Sequence, residues 1–158
     1  MSDLRDELYS LLVPLAGERL IVPRACVAEV IGYQPLAEMT NAPPWYAGLV
    51  NWGEHRVPVV AFEGAFGQSL PSVSSRTRIV IFHGSSGLLP GGYFGMLTQG
   101  FPQLVRVNAD VIRPDPTRGF SERSPVICQV RLVNETPLIP DLQRLEQMIA
   151  EETSVMTG

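Results

Sequence analysis

Apolar residues come in short runs, often alternating with polar or small ones, and clusters of Gly, Pro and polar residues separate the runs. That pattern predicts strands rather than helices. Residues 8–22 read as a hairpin turning at Ala16-Gly17-Glu18-Arg19, and residues 26–31 as the next strand. A second hairpin joins 48–52 to 57–62 around the polar Gly53-Glu54-His55-Arg56. Thr77-Arg78-Ile79-Val80-Ile81-Phe82-His83 predicts a strong strand, followed by a glycine-rich turn over 84–92 and strands at 93–98 and 104–107. An irregular polar loop over 114–125 leads to a third hairpin, 126–132 with 137–139. Only 141–149 shows helical spacing, through Leu142, Leu145, Met148 and Ile149, with Asp141 placed to cap it. The pattern therefore predicts an all-β chain with one C-terminal helix.

The 64–75 connection, rich in Gly, Ser and Pro, is the expected boundary between two lobes. A faint internal echo supports two lobes. Leu49-Val50-Asn51, a turn and Val57-Pro58-Val59-Val60 parallel Arg131-Leu132-Val133, a turn and Pro137-Leu138-Ile139-Pro140. Proline near a strand start removes no essential ladder bond.

The most informative stretch is 27–63. Val27-Ala28-Glu29-Val30-Ile31 is followed by a connection containing Pro35, Pro43 and Pro44, each biasing its predecessor away from helix. Gly48-Leu49-Val50-Asn51-Trp52 and Val57-Pro58-Val59-Val60-Ala61-Phe62 then form the hairpin. This order resembles the CheW family of chemotaxis coupling proteins, which reads V-x-E-I, a proline-containing segment, G-V-x-N-L-R-G and V-P-V-x-D-L. Asp110-Val111-Ile112-Arg113-Pro114-Asp115-Pro116 and the third hairpin resemble later parts of the family, so the likeness spans about 5–150 as a single domain. The resemblance implies two small SH3-like five-stranded β-barrel lobes, with strands exchanged between them, and a flexible tail over 151–158. It also implies a non-enzymatic adaptor that binds the regulatory domain of a CheA-type histidine kinase and the tip of a methyl-accepting chemoreceptor.

Departures from the family pattern sharpen the reading. Trp52 stands where the family has leucine, Gly53 where it has arginine, Glu54 where it has glycine, and Ala61 where it has aspartate. Arg56 is placed to supply a substitute charge. Together with Pro43-Pro44-Trp45-Tyr46 they make the chain look more like the ChpC type of type IV pilus chemosensory systems, which would act in twitching motility. The expected partner-binding residues are Val27, Glu29, Trp52, Gly53, Glu54 and Arg56. Each has a plainer reading: a core valine, a solvated glutamate, a packed tryptophan, ordinary turn residues and a solvated arginine. Trp45 and Tyr46, with Trp52, read as core packing for at least one of the three or as interface anchors, Trp52 being the better anchor. Leu138, Ile139 and Leu142 read mainly as core, and Arg113 as a solvated or locally paired loop arginine.

Composition narrows the chemistry. The chain of 158 residues carries a net charge of −4, with 45% hydrophobic and 18% charged residues. Those values fit a folded domain and give no basic footprint for nucleic acid or direct membrane insertion. No lysine occurs; all twelve basic residues are arginine. This removes a phosphate-loop lysine, a Schiff-base lysine and a lysine general base together. No common nucleophile or zinc spacing is present. Cys26 and Cys128 sit in predicted strands and read as reduced thiols, which favours a cytoplasmic location. No cofactor and no metal is expected. Two alternatives stay open: a divergent adaptor for another input protein, and a small-ligand-binding β-barrel with a site near His55, His83 and the two cysteines.

Overall fold

The computed structural model describes residues 8–157, and the side chains of 9–153. Eleven strands and two helices follow one another along the chain. They are β1 Leu8–Pro14, β2 Arg19–Pro23, β3 Val27–Gly32, β4 Tyr46–Trp52, β5 His55–Val60, α1 Phe62–Ala65, β6 Arg78–His83, β7 Tyr93–Thr98, β8 Gln103–Val107, β9 Arg113–Pro114, β10 Val126–Arg131, β11 Leu138–Pro140 and α2 Leu142–Thr157.

The strands form two sheets. One has the order β8-β1-β2-β11-β10-β9 and the other β3-β6-β7-β5-β4. The first and last parts of the chain thus build one lobe, and the middle builds the other. This corrects the expected boundary near 64–76, because that connection joins β5 to β6 within the same sheet. The chain changes lobe between β2 and β3, through a single 3-10 turn at Arg24–Cys26, and again between β7 and β8. Both crossings are only a few residues long, so composition does not set them apart from ordinary turns.

Most internal strands bury both faces, and alternation divides their side chains between cores. In β6, Val80 and Phe82 enter a large cluster between the lobes, while Ile79 and Ile81 enter the core of the five-stranded lobe. In β2, Leu20 and Val22 join the shared cluster while Ile21 packs with Leu12, Val107 and Val130 inside the other lobe. Leu145 and Ile149 of α2 complete the shared cluster, and all four of Ile79, Val80, Ile81 and Phe82 have zero exposure. The seam is therefore a third core, continuous with neither lobe interior.

Two buried carboxylates reinforce that seam. Glu63 of α1 accepts the Ala16 N–H of the β1–β2 turn at 3.1 Å. Glu146 of α2 accepts the backbone N–H groups of Ser85 and Ser86 at 3.1 Å, and the Ser86 hydroxyl donates to it at 2.7 Å. The β6–β7 connection is thus tied to the helix. Asp141 caps α2, its carboxylate accepting the Arg144 N–H at 3.0 Å. The helix continues to Thr157, through the segment expected as a tail over 151–158. Apolar spacing ends at Ile149, but Ala150, Glu151 and Glu152 are strong helix formers, and no Gly or Pro intervenes before Gly158.

Candidate functional site

The residues predicted to meet partners lie toward one end of the five-stranded sheet. Val27 and Glu29 are on edge strand β3, and Trp52, Gly53, Glu54 and Arg56 on the β4–β5 hairpin at the other edge. β4 and β5 pair in the register Trp52↔His55, leaving only Gly53 and Glu54 as the turn. His55 and Arg56 therefore belong to β5 rather than to the turn, as the sequence reading had them. Gly53 has φ +58°, and no positive φ occurs at Glu54. Such a two-residue turn, with glycine first, matches the right-handed twist of the flanking strands.

Register brings other strand ends beside this tip. β6 and β7 pair with His83 opposite Tyr93, and β3 meets β6 with Val27 opposite Phe82. β5 runs parallel to β7, pairing Val59 with Gly95. The start of β3, the end of β6, the start of β7 and the β4–β5 turn thus share one end of the lobe. An aromatic cluster links all of these except β3. The Trp52 ring meets Tyr93 edge-on at 4.9 Å between centroids and stacks on His55 at 5.8 Å. Tyr93 also lies 5.0 Å from His55 and 5.6 Å from His83.

Each predicted residue occupies a distinct setting. Val27 is half-buried and packs toward the seam, while Glu29 is exposed beside a β-bulge. Trp52 is half-buried against the lobe core, so its ring is neither a free anchor nor a sealed core residue. Gly53, Glu54 and Arg56 are exposed, and among the described residues Arg56 forms no ion pair. His55, His83 and Tyr93 complete the surface; sequence reasoning placed His55 in the hairpin tip but did not group His83 or Tyr93 with it. The shared polar–aromatic strand ends at 55, 83 and 93 were the available signal, but only pairing register brings them together.

The remaining candidates have structural roles. Tyr46 is buried and its ring lies 5.8 Å from that of Trp45, which packs on the seam. Burial pushes the Tyr46 hydroxyl above its usual range, opposed by a hydrogen bond with Thr153 of α2. Leu138 and Leu142 join the seam, Ile139 the core of the six-stranded lobe, and Arg113 is exposed in β9. Cys26 packs on the seam and Cys128 inside the six-stranded lobe, so the two thiols serve different cores. Burial pushes the Cys26 thiol up, which makes it a poor nucleophile. Among the described residues no group of three or more His, Cys, Asp or Glu is placed to hold a metal ion. No described helix is long and apolar enough to cross a membrane.

The geometry offers exposed strand ends, an aromatic cluster and unpaired charges, which are features of a contact surface rather than of a reaction centre. Comparison with solved structures supports the same fold. The scaffolding protein TtCheW from Thermoanaerobacter tengcongensis superposes with a TM-score of 0.73 at 19% identity, over 87% of this chain and 86% of that one. No curated protein matches the chain in sequence. A family model described as CheW-like domain matches residues 10–149. Spanning both lobes and the start of the final helix, that match shows that the chain belongs to the CheW-like domain family.

Proposed function

We propose that the protein is a non-enzymatic adaptor in a cytoplasmic chemosensory array, coupling chemoreceptors to a CheA-type histidine kinase. The observation that carries this reading is the family match across both lobes, joined to the fold shared with a scaffolding protein. An adaptor of this kind works by geometry. It holds two partners in fixed relation, so its chemistry is recognition alone. The end of the five-stranded lobe carrying Val27, Glu29, Trp52, Gly53, Glu54 and Arg56 serves as one partner face. Its charges are exposed, so they can pair with a partner at little desolvation cost, while Trp52 and Tyr93 supply apolar area. The altered Trp52-Gly53-Glu54 tip points to a specialised adaptor, and we assign it to a type IV pilus chemosensory system controlling twitching motility.

The test is calorimetry of the purified chain against the regulatory domain of the histidine kinase encoded beside it, and against a receptor-tip fragment. A small signalling interface predicts micromolar affinity, about −8 kcal/mol. Absence of binding to both partners at high micromolar concentration would overturn the adaptor reading. Binding to the kinase with no effect of receptor on kinase activity would overturn the coupling part of it.

A further inference from the structure

A cleft of about 360 Å³ lies between the connections 33–45 and 66–77, away from the hairpin tip. Its size fits a small molecule or one long side chain. Leu36, Met39, Ala47 and Leu97 line it with apolar surface, and its charged lining groups are Glu38 and Glu63. No arginine lines it, and the chain has no lysine to offer.

The two carboxylates differ in setting. Glu38 is exposed at the rim, whereas Glu63 is 1% exposed. Glu63 Oε2 accepts the Ala16 N–H, but its Oε1 has no hydrogen-bond partner among the described residues. The other buried polar atoms without partners, Ser124 Oγ and Arg144 Nε, belong to residues outside this cleft. A buried acceptor without a donor is costly, and a buried carboxylate more so.

The cleft walls are held in place. Ala37 and Leu49 exchange backbone hydrogen bonds of 2.9 and 3.0 Å, folding the first connection back on β4. Gly48 permits that approach: its φ is +141°, and a Cβ there would stand 2.7 Å from the Ala37 carbonyl oxygen. On the other side Thr77 Oγ1 accepts the Ser74 N–H at 2.9 Å.

We propose that this cleft binds an organic cation with a short apolar stem. The ammonium or guanidinium is attracted by Glu38 at the rim and donates to Glu63 Oε1, which is sealed as it stands and which a side-chain rotation would bring to the donor. The stem packs on Leu36, Met39 and Leu97. An anion meets two carboxylates there and is excluded. A neutral alcohol supplies a donor without the charge. The cation is either a free small amine or a Lys or Arg side chain of a partner protein. This proposal does not rest on the adaptor reading.

The test titrates the isotopically labelled full chain with three probes: n-butylammonium, n-butanol as the neutral control, and a blocked tripeptide with lysine at its centre. Amide signals of Ala47, Ala61 and Gly64 should shift with both cations, and n-butanol should bind about tenfold more weakly or worse. Tighter binding of n-butylammonium than of the tripeptide assigns the site to a free amine, and the reverse order assigns it to a partner side chain. Glu63→Gln should remove the preference for cation over alcohol. If that variant fails to fold, the wild-type comparison of n-butylammonium with n-butanol decides alone. Equal binding of those two, or no cleft shift with either cation at tens of millimolar, would overturn the proposal.

Discussion

Replacing Glu146 with alanine should loosen the molecule at one defined place. The carboxylate is 1% exposed and accepts from the Ser85 and Ser86 backbone N–H groups and from both serine hydroxyls. The hydroxyls can turn to water, since Ser85 is exposed and Ser86 half-buried. The two N–H groups are held by the backbone and lose their acceptor. Each unsatisfied buried N–H costs about 1–3 kcal/mol, and partial exposure puts this pair toward the lower end, for a total of about 3 kcal/mol. In a chain of this size about 1 kcal/mol moves Tm by roughly 2–4 °C, so Glu146→Ala should melt about 6–12 °C lower. Glu146→Gln keeps one acceptor oxygen and should lose about half as much. Calorimetric melts give the magnitude, and hydrogen exchange at Ser85 and Ser86 gives the place. The rest of the five-stranded sheet should keep its protection. A loss below about 1 kcal/mol, with Ser85 and Ser86 exchanging at wild-type rates, would refute the claim that this carboxylate ties the β6–β7 connection to the helix.

Trp52→Ala should separate packing from recognition: half-burial and one edge-on ring contact predict a stability loss of about 2 kcal/mol, well short of the roughly 3–5 kcal/mol of a sealed aromatic, read from urea melts. On the adaptor reading the same variant weakens partner binding by about 2 kcal/mol or more in calorimetry, and unchanged affinity would remove Trp52 from the interface. Gly53→Arg restores the family residue, and no atom stands within 4 Å of the new Cβ, yet φ +58° should cost about 1–2 kcal/mol in a chemical melt; Gly53→Asn should cost less, and equal stability of all three would show that the turn relaxes freely. Asp115 accepts hydrogen bonds from Thr117 and from the Gln129 side chain, and these, with Arg131 nearby, hold its carboxyl below the usual aspartate range. A folded-state value below the unfolded one adds stability above the unfolded value and loses it as pH falls through the folded one. Asp115→Asn should therefore flatten the acid limb of a stability-versus-pH curve below about pH 4 and leave its shape at neutral pH unchanged.

Much of the fold was legible because the strand pattern is local. Ile79-Val80-Ile81-Phe82 announces a strand buried on both faces, and Asp141 with Leu142, Leu145 and Ile149 announces a capped helix. Lobe membership was not legible, because it depends on long-range pairing. β2 joins β11 in parallel through Leu20 and Leu138, a partnership across more than half the chain that no local signal encodes. Composition pointed to 64–76 as the boundary, since turn-rich segments look like linkers; here such a segment only spans the gap between β5 and β6 of one sheet. The helix past Ile149 was missed for a related reason: Ala150, Glu151 and Glu152 favour helix, but they interrupt the apolar stripe by which the helix was recognised.

The candidate site shows the same division between local and long-range information. The departures at Trp52, Gly53 and Glu54 were visible as letters, and the letters alone read as a lost arginine. The structure gives that loss a shape. A residue at Gly53 sits at φ +58°, where any side chain beyond glycine costs about 1–2 kcal/mol, so an arginine here would strain this turn. The nearest arginine in sequence, Arg56, lies on β5 opposite Asn51, as the second residue of the strand rather than on the tip. The register pairs Arg56 with Asn51 and Trp52 with His55, so the arginine and the ring that replaces leucine belong to opposite faces of the hairpin. The tip is thus a turn of altered geometry backed by Trp52, His55 and Tyr93, with its charge moved back along the strand. A partner that recognises an arginine at the turn would find a glycine and a glutamate there, and one shaped to this surface would meet aromatic faces first. On the adaptor reading, selectivity among related partners at this surface would follow from the turn geometry as much as from the identity of any one side chain.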